Sequence, residues 1–115
     1  MHYLPTIINP IEIPIGQGIV GTVAQTRQAE LVSDTASDIR YIPDNVRRRS
    51  ELAVPILDGD RVIGVIDTEH SREHFYTSWH LQLFTAIASL VSSKIALLRS
   101  EEARRKALLE KVNSQ

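Results

Sequence analysis

The pattern of apolar and polar positions predicts a short helix, a short strand, a β-hairpin and one long helix, in that order. Apolar residues recur at helical spacing within residues 19–24, just after two of three closely spaced glycines. A short strand is predicted at 29–33, and β-branched residues interrupted by prolines predict an irregular or edge strand at 3–15. Residues 33–49, which precede the hairpin, begin with a run rich in Ser, Thr and Asp, so they predict a loop long enough to cover part of the domain. We name this segment the covering loop.

A strong short-range signal in the sequence predicts the hairpin. Two β-patterned segments, SELAVPILD and RVIGVIDTEHS, flank a turn at Asp58-Gly59-Asp60. The period of two gives the first strand two faces, one with Leu52, Val54 and Ile56 and the other with Glu51, Ala53 and Leu57. Because both faces carry apolar residues, we expect both strands to be central in their sheet.

From Thr77 onward, a spacing of three and four predicts one continuous helix with a long stripe. Eight of its ten positions are apolar: Leu81, Phe84, Ala88, Val91, Ile95, Leu98, Glu102, Arg105, Leu109 and Val112. A second apolar surface covers the first half only, at Leu83, Ile87, Leu90 and Leu97. We therefore expect the first half of the helix to pack on the sheet, and the second half to project and pair with another helix.

Composition and charge narrow the class of protein. The chain has 115 residues, 43% of them hydrophobic, and a formal net charge of -1, which gives no electrostatic reason to expect nucleic acid or an anionic membrane as a partner. No apolar run approaches the roughly 20 residues of a membrane span. With no cysteine there are no disulfides or thiolate sites, which fits a reducing compartment. We expect a cytoplasmic location and no contact with membrane or nucleic acid.

Three acids near the hairpin are the best candidates for binding chemistry. Glu51 starts one strand, and Asp67 and Glu69 end the other, so the sheet can deliver all three carboxylates to one region. Carboxylates on a partly buried sheet face favour an ammonium-bearing molecule. On the covering loop, Tyr41 or Ile39 would close over the apolar part of such a molecule. These residues predict an amino-acid-like ligand.

Two other interpretations of the polar residues stay open. Glu51 and Glu69 can instead lie at the solvent edge of the hairpin, with Asp67 capping a loop or pairing with an arginine such as Arg49. The sequence His70-Ser-Arg-Glu73-His74 has the H-x-x-E-H pattern of inverted zinc proteases, which predicts a metal site and an enzyme. That pattern straddles a predicted strand end and a loop, so it lacks the helical spacing that brings two histidines to one metal.

The order of these motifs resembles the GAF domain family. The resemblance is carried by GQGIVGTVAQT, then a strand, a loop, SELAVPILDGDRVIGVIDTEHS and a helix, over nearly all of residues 13–98. It implies an α+β fold with an antiparallel β-sheet flanked by helices, a small-molecule pocket between the sheet and its covering loops, and a long C-terminal signalling helix. We therefore expect a GAF-like sensory domain at 1–98, incomplete at its N-terminus, and a helical extension at 99–115 that serves as a coiled-coil linker.

Within this family, the free methionine sulfoxide reductases have a similar motif. The resemblance implies that Glu51, Asp67 and Glu69 stand where those enzymes hold their substrate. Sulfoxide reduction needs one thiolate to attack and another thiol to resolve the intermediate. Val20 stands where the glycine motif of those enzymes carries cysteine. We therefore expect that this fragment is not an enzyme, that it keeps an acidic recognition shell, and that it uses no cofactor.

The resemblance also implies a place in signalling. We expect a small-molecule-sensing and dimerisation module of a bacterial signal-transduction protein, with a two-component sensor histidine kinase as its parent. The homodimer would form through the C-terminal helix. The alternatives are a purely structural dimerisation domain whose pocket is collapsed, and an enzyme with the His/Glu metal site described above.

Overall fold

The computed structural model describes residues 15–43 and 48–114, which form a sheet with one helix on each face. The elements are helix α1 at Gly18–Thr26, strands β1 at Glu30–Val32, β2 at Ser50–Asp58 and β3 at Arg61–His70, and helix α2 at Ser78–Asn113. A single 3-10 turn lies at Thr35–Ser37. The predicted α+β class is confirmed, and so are the short helix, the short strand, the hairpin and the long helix. The strand predicted at 3–15 lies outside the described residues except for its last position.

The described sheet is antiparallel with the order β1-β2-β3. β2 is central, as predicted. β3 is the edge strand of the sheet that the described residues form, so the expectation that it is central stays a prediction. The hairpin closes with Asp58 opposite Arg61. Gly59 takes the first of the two turn positions with a φ of 63°, a conformation that residues with a Cβ rarely adopt.

α1 packs on one face of the sheet. Its residues Ile19 and Val23 are buried against Val32, Tyr41 and Ala53. At the C-terminal end of the helix, the Arg27 side chain donates a hydrogen bond of 3.2 Å to the carbonyl of Asp60 in the hairpin turn. At the other end, a Cβ on Gly18 would lie 2.8 Å from the Ile42 side chain, so the covering loop approaches the helix closely there. α1 therefore lies lengthwise between the hairpin turn and the covering loop.

α2 packs on the opposite face through its first half. Leu52 and Val54 of β2 are buried with Tyr76 and Ala88, and Leu81 and Phe84 pack against them. The helix begins after Thr77, whose N–H donates to Nδ1 of His80 at 3.0 Å. Every described residue after Ile95 is exposed, and the described chain is 63 Å long and only 32 Å wide. The first half of the predicted stripe thus packs on the sheet, and the second half projects.

The length and hydropathy of α2 have one further consequence. By length and composition alone, this 36-residue helix is apolar enough to cross a membrane, which corrects the expectation that no segment reaches span length. The observation is weak evidence for a membrane, because Leu81, Phe84 and Ala88 of the same helix pack on the sheet.

Candidate functional site

The pairing of β2 with β3 brings the three predicted acids to one face of the sheet. Glu51 lies directly opposite Glu69, and Ala53 lies opposite Asp67. Because directly opposite residues and residues two apart share a face, Glu51, Asp67 and Glu69 point the same way. One carboxylate oxygen from each residue lies within 4.8 Å of the others. The sequence prediction that these acids converge agrees with the structure. We name these three side chains the acidic cluster.

A single irregularity in the hairpin makes this convergence possible. Near the turn, Leu57 pairs with Val62, but the next pair is Ile56 with Gly64, so Ile63 is an extra residue on β3. Without this β-bulge, continuing the turn register would place Glu51 opposite Thr68. Since a shift of one residue reverses the face of every side chain, Glu51 would then lie on the face away from the other two acids.

Tyr41 connects the covering loop to the acidic cluster. Its hydroxyl donates a hydrogen bond of 2.8 Å to Oε1 of Glu69 and accepts one of 2.9 Å from the N–H of Arg48. The side chain is buried in the core on the α1 side of the sheet. Ile39, two residues earlier, is 102% exposed, so the structure does not bring this predicted ligand contact to the cluster.

Polar contacts that the sequence analysis did not single out hold the covering loop in place. The Arg40 guanidinium donates to Asp38 at 2.7 Å and to Glu30 of β1 at 3.0 Å. Thr35 is fully buried, and its hydroxyl donates to the carbonyl of Arg48 at 2.5 Å. In the sequence, the spacing of Asp38 and Arg40 was a signal for the contact between them, because oppositely charged residues two apart in a turn can pair. The same spacing occurs in many exposed loops, so the signal is weak.

Burial of Glu51 sets the charge of the cluster. Only 4% of this residue is exposed. Desolvation raises the pKa of Glu51 to about 10, and its hydrogen bond with Asp67 and the negative charges of Asp67 and Glu69 add to that effect. Glu51 therefore carries a proton at neutral pH, and its hydroxyl donates to the Asp67 carboxylate.

Asp67, which accepts that hydrogen bond, is an exposed residue. Desolvation of the Asp67 carboxyl by surrounding protein nonetheless raises its pKa, while the hydrogen bond from Glu51 acts in the opposite direction. Desolvation also raises the pKa of Tyr41 to about 12, so its hydroxyl stays a neutral donor at physiological pH. The cluster thus combines a shared proton, negative charge and a neutral donor, and an arriving cation would replace the shared proton.

The two alternative interpretations of the polar residues are not realised in the described part of the chain. Arg49 forms ion pairs with Asp34 and Glu73, and none joins it to Asp67. The H-x-x-E-H residues are not brought to one point. The His70 ring stacks on Phe75 with centroids 3.7 Å apart, and His74 lies in a turn with a φ of 56°.

The chemistry available to the acidic cluster is cation binding. Three carboxylates at this spacing suit either an ammonium group, through charge-assisted hydrogen bonds, or a hard divalent cation with oxygen ligands. The cluster is the one group of three metal-competent side chains found within residues 15–43 and 48–114, and it contains no histidine.

Comparison with known proteins identifies the family. The family model of the GAF domain matches residues 2–95. The chain belongs to the GAF domain family. The fold is a sensing and regulatory one, and GAF domains bind small-molecule ligands and often dimerise. Domains of the GAF family are soluble domains.

Three relatives show the range of this family. The chain is 34% identical over 58 residues to the free methionine-R-sulfoxide reductase of Saccharomyces cerevisiae, across 50% of this chain and 32% of that protein. A structure described as a GAF sensor protein from Burkholderia vietnamiensis has a TM-score of 0.61 at 30% identity, over 66% of this chain and 49% of that one. The fRMsr of Staphylococcus aureus in its reduced form has a TM-score of 0.67 at 28% identity, over 74% and 56% of the two chains. The chain thus spans about a third of the curated relative and about half of the solved ones.

These relatives correct one expectation. The absence of cysteine led to the conclusion that the fragment is not an enzyme, but the curated relative is a reductase, and reductases recur among the solved structures that share the fold. A catalytic role is therefore compatible with the family. The missing cysteine limits only the groups that these 115 residues supply themselves.

Proposed function

We propose that this GAF domain binds a free amino acid, with the ammonium group held by the acidic cluster beneath Tyr41. The observation that carries this proposal is the convergence of three carboxylates, one of them almost fully buried, on one face of the hairpin. An ammonium group has three donors, and the cluster offers one carboxylate oxygen to each. An arriving ammonium would displace the proton that Glu51 shares with Asp67 and would leave three ionised acceptors.

The reductase relatives make methionine sulfoxide the first amino acid to test. The name of the yeast relative specifies a free methionine sulfoxide as what it acts on, which agrees with a cluster suited to an unblocked amino group. Reduction of a sulfoxide takes two electrons from thiols. Since this chain has no cysteine, turnover on this domain would use thiols from another molecule or from another part of the protein.

Isothermal titration calorimetry with matched ligands and variants tests the proposal. We expect binding of methionine sulfoxide and methionine, and loss of binding by N-acetylmethionine, which lacks the ammonium group. Glu51→Gln and Asp67→Asn should each weaken binding at least tenfold, whereas Glu110→Gln, an exposed acid of α2, should not. Equal affinity for the acetylated ligand, or no binding of either free amino acid, would contradict the proposal.

A second readout separates binding from turnover. Incubation of the protein with methionine sulfoxide and dithiothreitol, followed by chromatographic measurement of methionine, reports any thiol-driven reduction. The Glu51→Gln variant should lose that activity together with binding. Binding without turnover would assign the domain a sensing role, because the ligand is then recognised and left unchanged.

We also propose that α2 is the output element and the site of homodimerisation. The helix contacts the central strand through Ala88, and the same helix projects beyond Ile95 with every described side chain exposed. A ligand that repositions the hairpin would therefore act directly on the base of this helix. Sedimentation at increasing protein concentration, with Leu98→Asp against wild type, tests the dimer. A monomer at all concentrations would contradict it.

The remaining parts of the signalling interpretation stay predictions. They are the cytoplasmic location, the two-component histidine kinase as parent, and the role of residues 99–115 as a coiled-coil linker. The long projecting helix supports the last of them. Placement of the chain ahead of a kinase core, with autophosphorylation measured with and without the amino acid, tests the kinase context.

A further inference from the structure

The start of α2 is capped by a histidine side chain. Nδ1 of His80 lies 3.0 Å from the backbone N of Thr77 and 3.1 Å from the hydroxyl oxygen of the same residue. His80 is the third residue of the helix, and its contact with the residue before the helix is the one that Glu or Gln makes in a capping box. Because a backbone N–H only donates, Nδ1 is the acceptor, so the neutral ring carries its proton on Nε2.

A proton on Nδ1 removes this contact. Both nitrogens of an imidazolium ring are donors, so the protonated ring of His80 cannot receive the N–H of Thr77. A Glu or Gln side chain at the same position would accept this N–H throughout the range of about pH 5 to 8, whereas histidine ordinarily changes its charge within that range. Histidine at this position therefore makes the cap of α2 dependent on pH.

The distribution of charge along α2 adds to this dependence. The aligned peptide dipoles give the N-terminal end of a helix a partial positive charge, which favours acids in the first turn and disfavours cations. α2 has no acid in its first turn, and residues 78–93 contain no Asp, Glu, Lys or Arg. Within these residues His80 is the one side chain that titrates. A proton on it thus adds a positive charge that no acid of this half of the helix offsets.

Three aromatic rings surround the imidazole of His80. The ring centroids of Phe75, Tyr76 and Trp79 lie 5.2, 5.6 and 5.2 Å from the His80 centroid. Aromatic faces attract cations, which favours imidazolium without restoring an acceptor for the N–H of Thr77. The acidic cluster belongs to the other face of the sheet, and its negative charges act on Tyr76. Within the described residues, no hydrogen bond or ion pair joins a carboxylate to the His80 ring.

The remaining charged groups of this region come from the turn at residues 71–77 and from the end of β3. The Arg72 guanidinium lies 5.7 Å from the centroid of Phe75, and Glu73 is paired with Arg49. His70, the last residue of β3, stacks on Phe75 with centroids 3.7 Å apart, and its own Nδ1 accepts the N–H of Arg72 at 3.0 Å. A second histidine is therefore present on the far side of Phe75, and an experiment has to separate the two.

We propose that His80 is a pH-dependent cap that releases the start of α2 on acidification. The neutral ring holds Thr77 and packs among the aromatic residues that join the turn at 71–77 to the helix. The protonated ring leaves the N–H of Thr77 without its acceptor, so the first turn of α2 frays. Because α2 packs on the central strand through its first half, fraying at this end loosens the helix where it meets the sheet. The cap acts with or without a bound amino acid, so this response to pH goes beyond the function proposed above.

The fluorescence of Trp79 reports protonation of His80. Trp79 is the one tryptophan of the chain, and imidazolium quenches indole emission more strongly than neutral imidazole does. We expect the emission to fall between about pH 8 and 5 in the wild type, the range in which histidine titrates, and to stay constant in His80→Gln. His74→Asn is the matched control. It replaces an exposed histidine of the same segment, and asparagine tolerates the left-handed φ of 56° at that position, so the fall should remain.

Hydrogen exchange measured by NMR, without amino acid, tests the cap itself. The protection factor of the Thr77 amide, corrected for the intrinsic effect of pH on exchange, should fall about fivefold or more from pH 7.5 to pH 5, as expected for the loss of a cap. It should stay constant in His80→Gln, whose amide oxygen accepts at every pH, and should be low throughout in His80→Leu. His70→Gln should leave the wild-type response in place. So should Glu51→Gln, which removes the proton of the acidic cluster.

Three results would overturn the proposal. The first is a fall in Thr77 protection that persists in His80→Gln, because another group would then be its source. The second is quenching of Trp79 without loss of Thr77 protection, because the ring would then titrate without capping the helix. The third is a neutral His80 ring with its proton on Nδ1, which nitrogen-15 chemical shifts report directly, because that tautomer cannot accept the N–H.

Discussion

The Tyr41 hydroxyl and the Glu69 carboxylate are joined by a hydrogen bond of 2.8 Å that fastens the covering loop to the edge strand of the described sheet. The same hydroxyl accepts the N–H of Arg48, so one side chain links two parts of the loop to the acidic cluster. Tyr41 is also buried in the core beside α1. A ligand that moves Glu69 would therefore shift Tyr41 and, with it, both the covering loop and the packing against α1.

Removing that hydroxyl should loosen the site without unfolding the domain. Tyr41→Phe keeps the buried ring and deletes both hydrogen bonds, which leaves the Arg48 N–H without this acceptor. We expect the free energy of unfolding to fall by about 1 to 2 kcal/mol, measured by urea denaturation, with a larger proportional loss of amino-acid affinity. An unchanged affinity in Tyr41→Phe would show that the loop contact plays no part in binding.

The hairpin and its acids were accessible from the sequence because their signals are local. The turn chemistry of Asp58-Gly59-Asp60 and the period-two pattern predict both strands, and they place Glu51 and Ala53 on one face. The bulge at Ile63 was not accessible in this way, because the apolar residues around it fit either register. Convergence of the acids was therefore predicted from their places at the ends of two paired strands, whereas the register that puts them on one face depends on one extra residue in β3.

The position of Ile39 shows a second limit on what the sequence can predict. Its proximity in sequence to Tyr41 suggested a shared role, but the turn at residues 38–40 directs Arg40 to Asp38 and Glu30 and leaves Ile39 in solvent. Loop side chains follow their hydrogen bonds, which a sequence pattern does not specify. The long helix was easier to predict from the sequence. Its apolar stripe repeats over ten positions, and the helix propensity of its residues agrees with their packing on the sheet.

Arg40 should be a positioning residue for the covering loop. Its hydrogen bonds hold the pKa of Asp38 below the usual range and tie the loop to β1. Arg40→Ala should lower the free energy of unfolding by about 1 kcal/mol, because the pair is partly exposed. Arg40→Lys should recover only part of that loss, since lysine cannot form the forked contact with two acids. Full recovery by lysine would indicate that charge alone, and not the fork, holds the loop.

The buried carboxyl of Glu51 predicts a specific dependence of stability on pH. Its pKa in the folded protein lies above the ordinary value of 4.5, so the folded state holds a proton that the unfolded chain loses. The free energy of unfolding should therefore fall as the pH rises above about 4.5, by at most about 1.4 kcal/mol per pH unit. Glu51→Gln mimics the protonated form and should remove this slope and stabilise the protein at pH 8. Urea denaturation from pH 5 to 9 measures both, with Glu110→Gln as control. A wild-type slope that persists unchanged in Glu51→Gln would exclude this residue as its source.

The same proton should couple ligand binding to pH. An ammonium group replaces the proton shared by Glu51 and Asp67, so each binding event should release about one proton at neutral pH. The affinity for methionine should then rise between pH 6 and 8, up to tenfold per pH unit, while the amino group of the ligand stays charged. Calorimetry in buffers of different ionisation enthalpy measures the released proton directly, because the observed heat then depends on the buffer. Asp67→Asn removes one acceptor but leaves Glu51 in place, so it should weaken binding and change the released fraction. Heats that are the same in every buffer would mean that the ligand does not displace the proton, and would place the ammonium group outside the cluster.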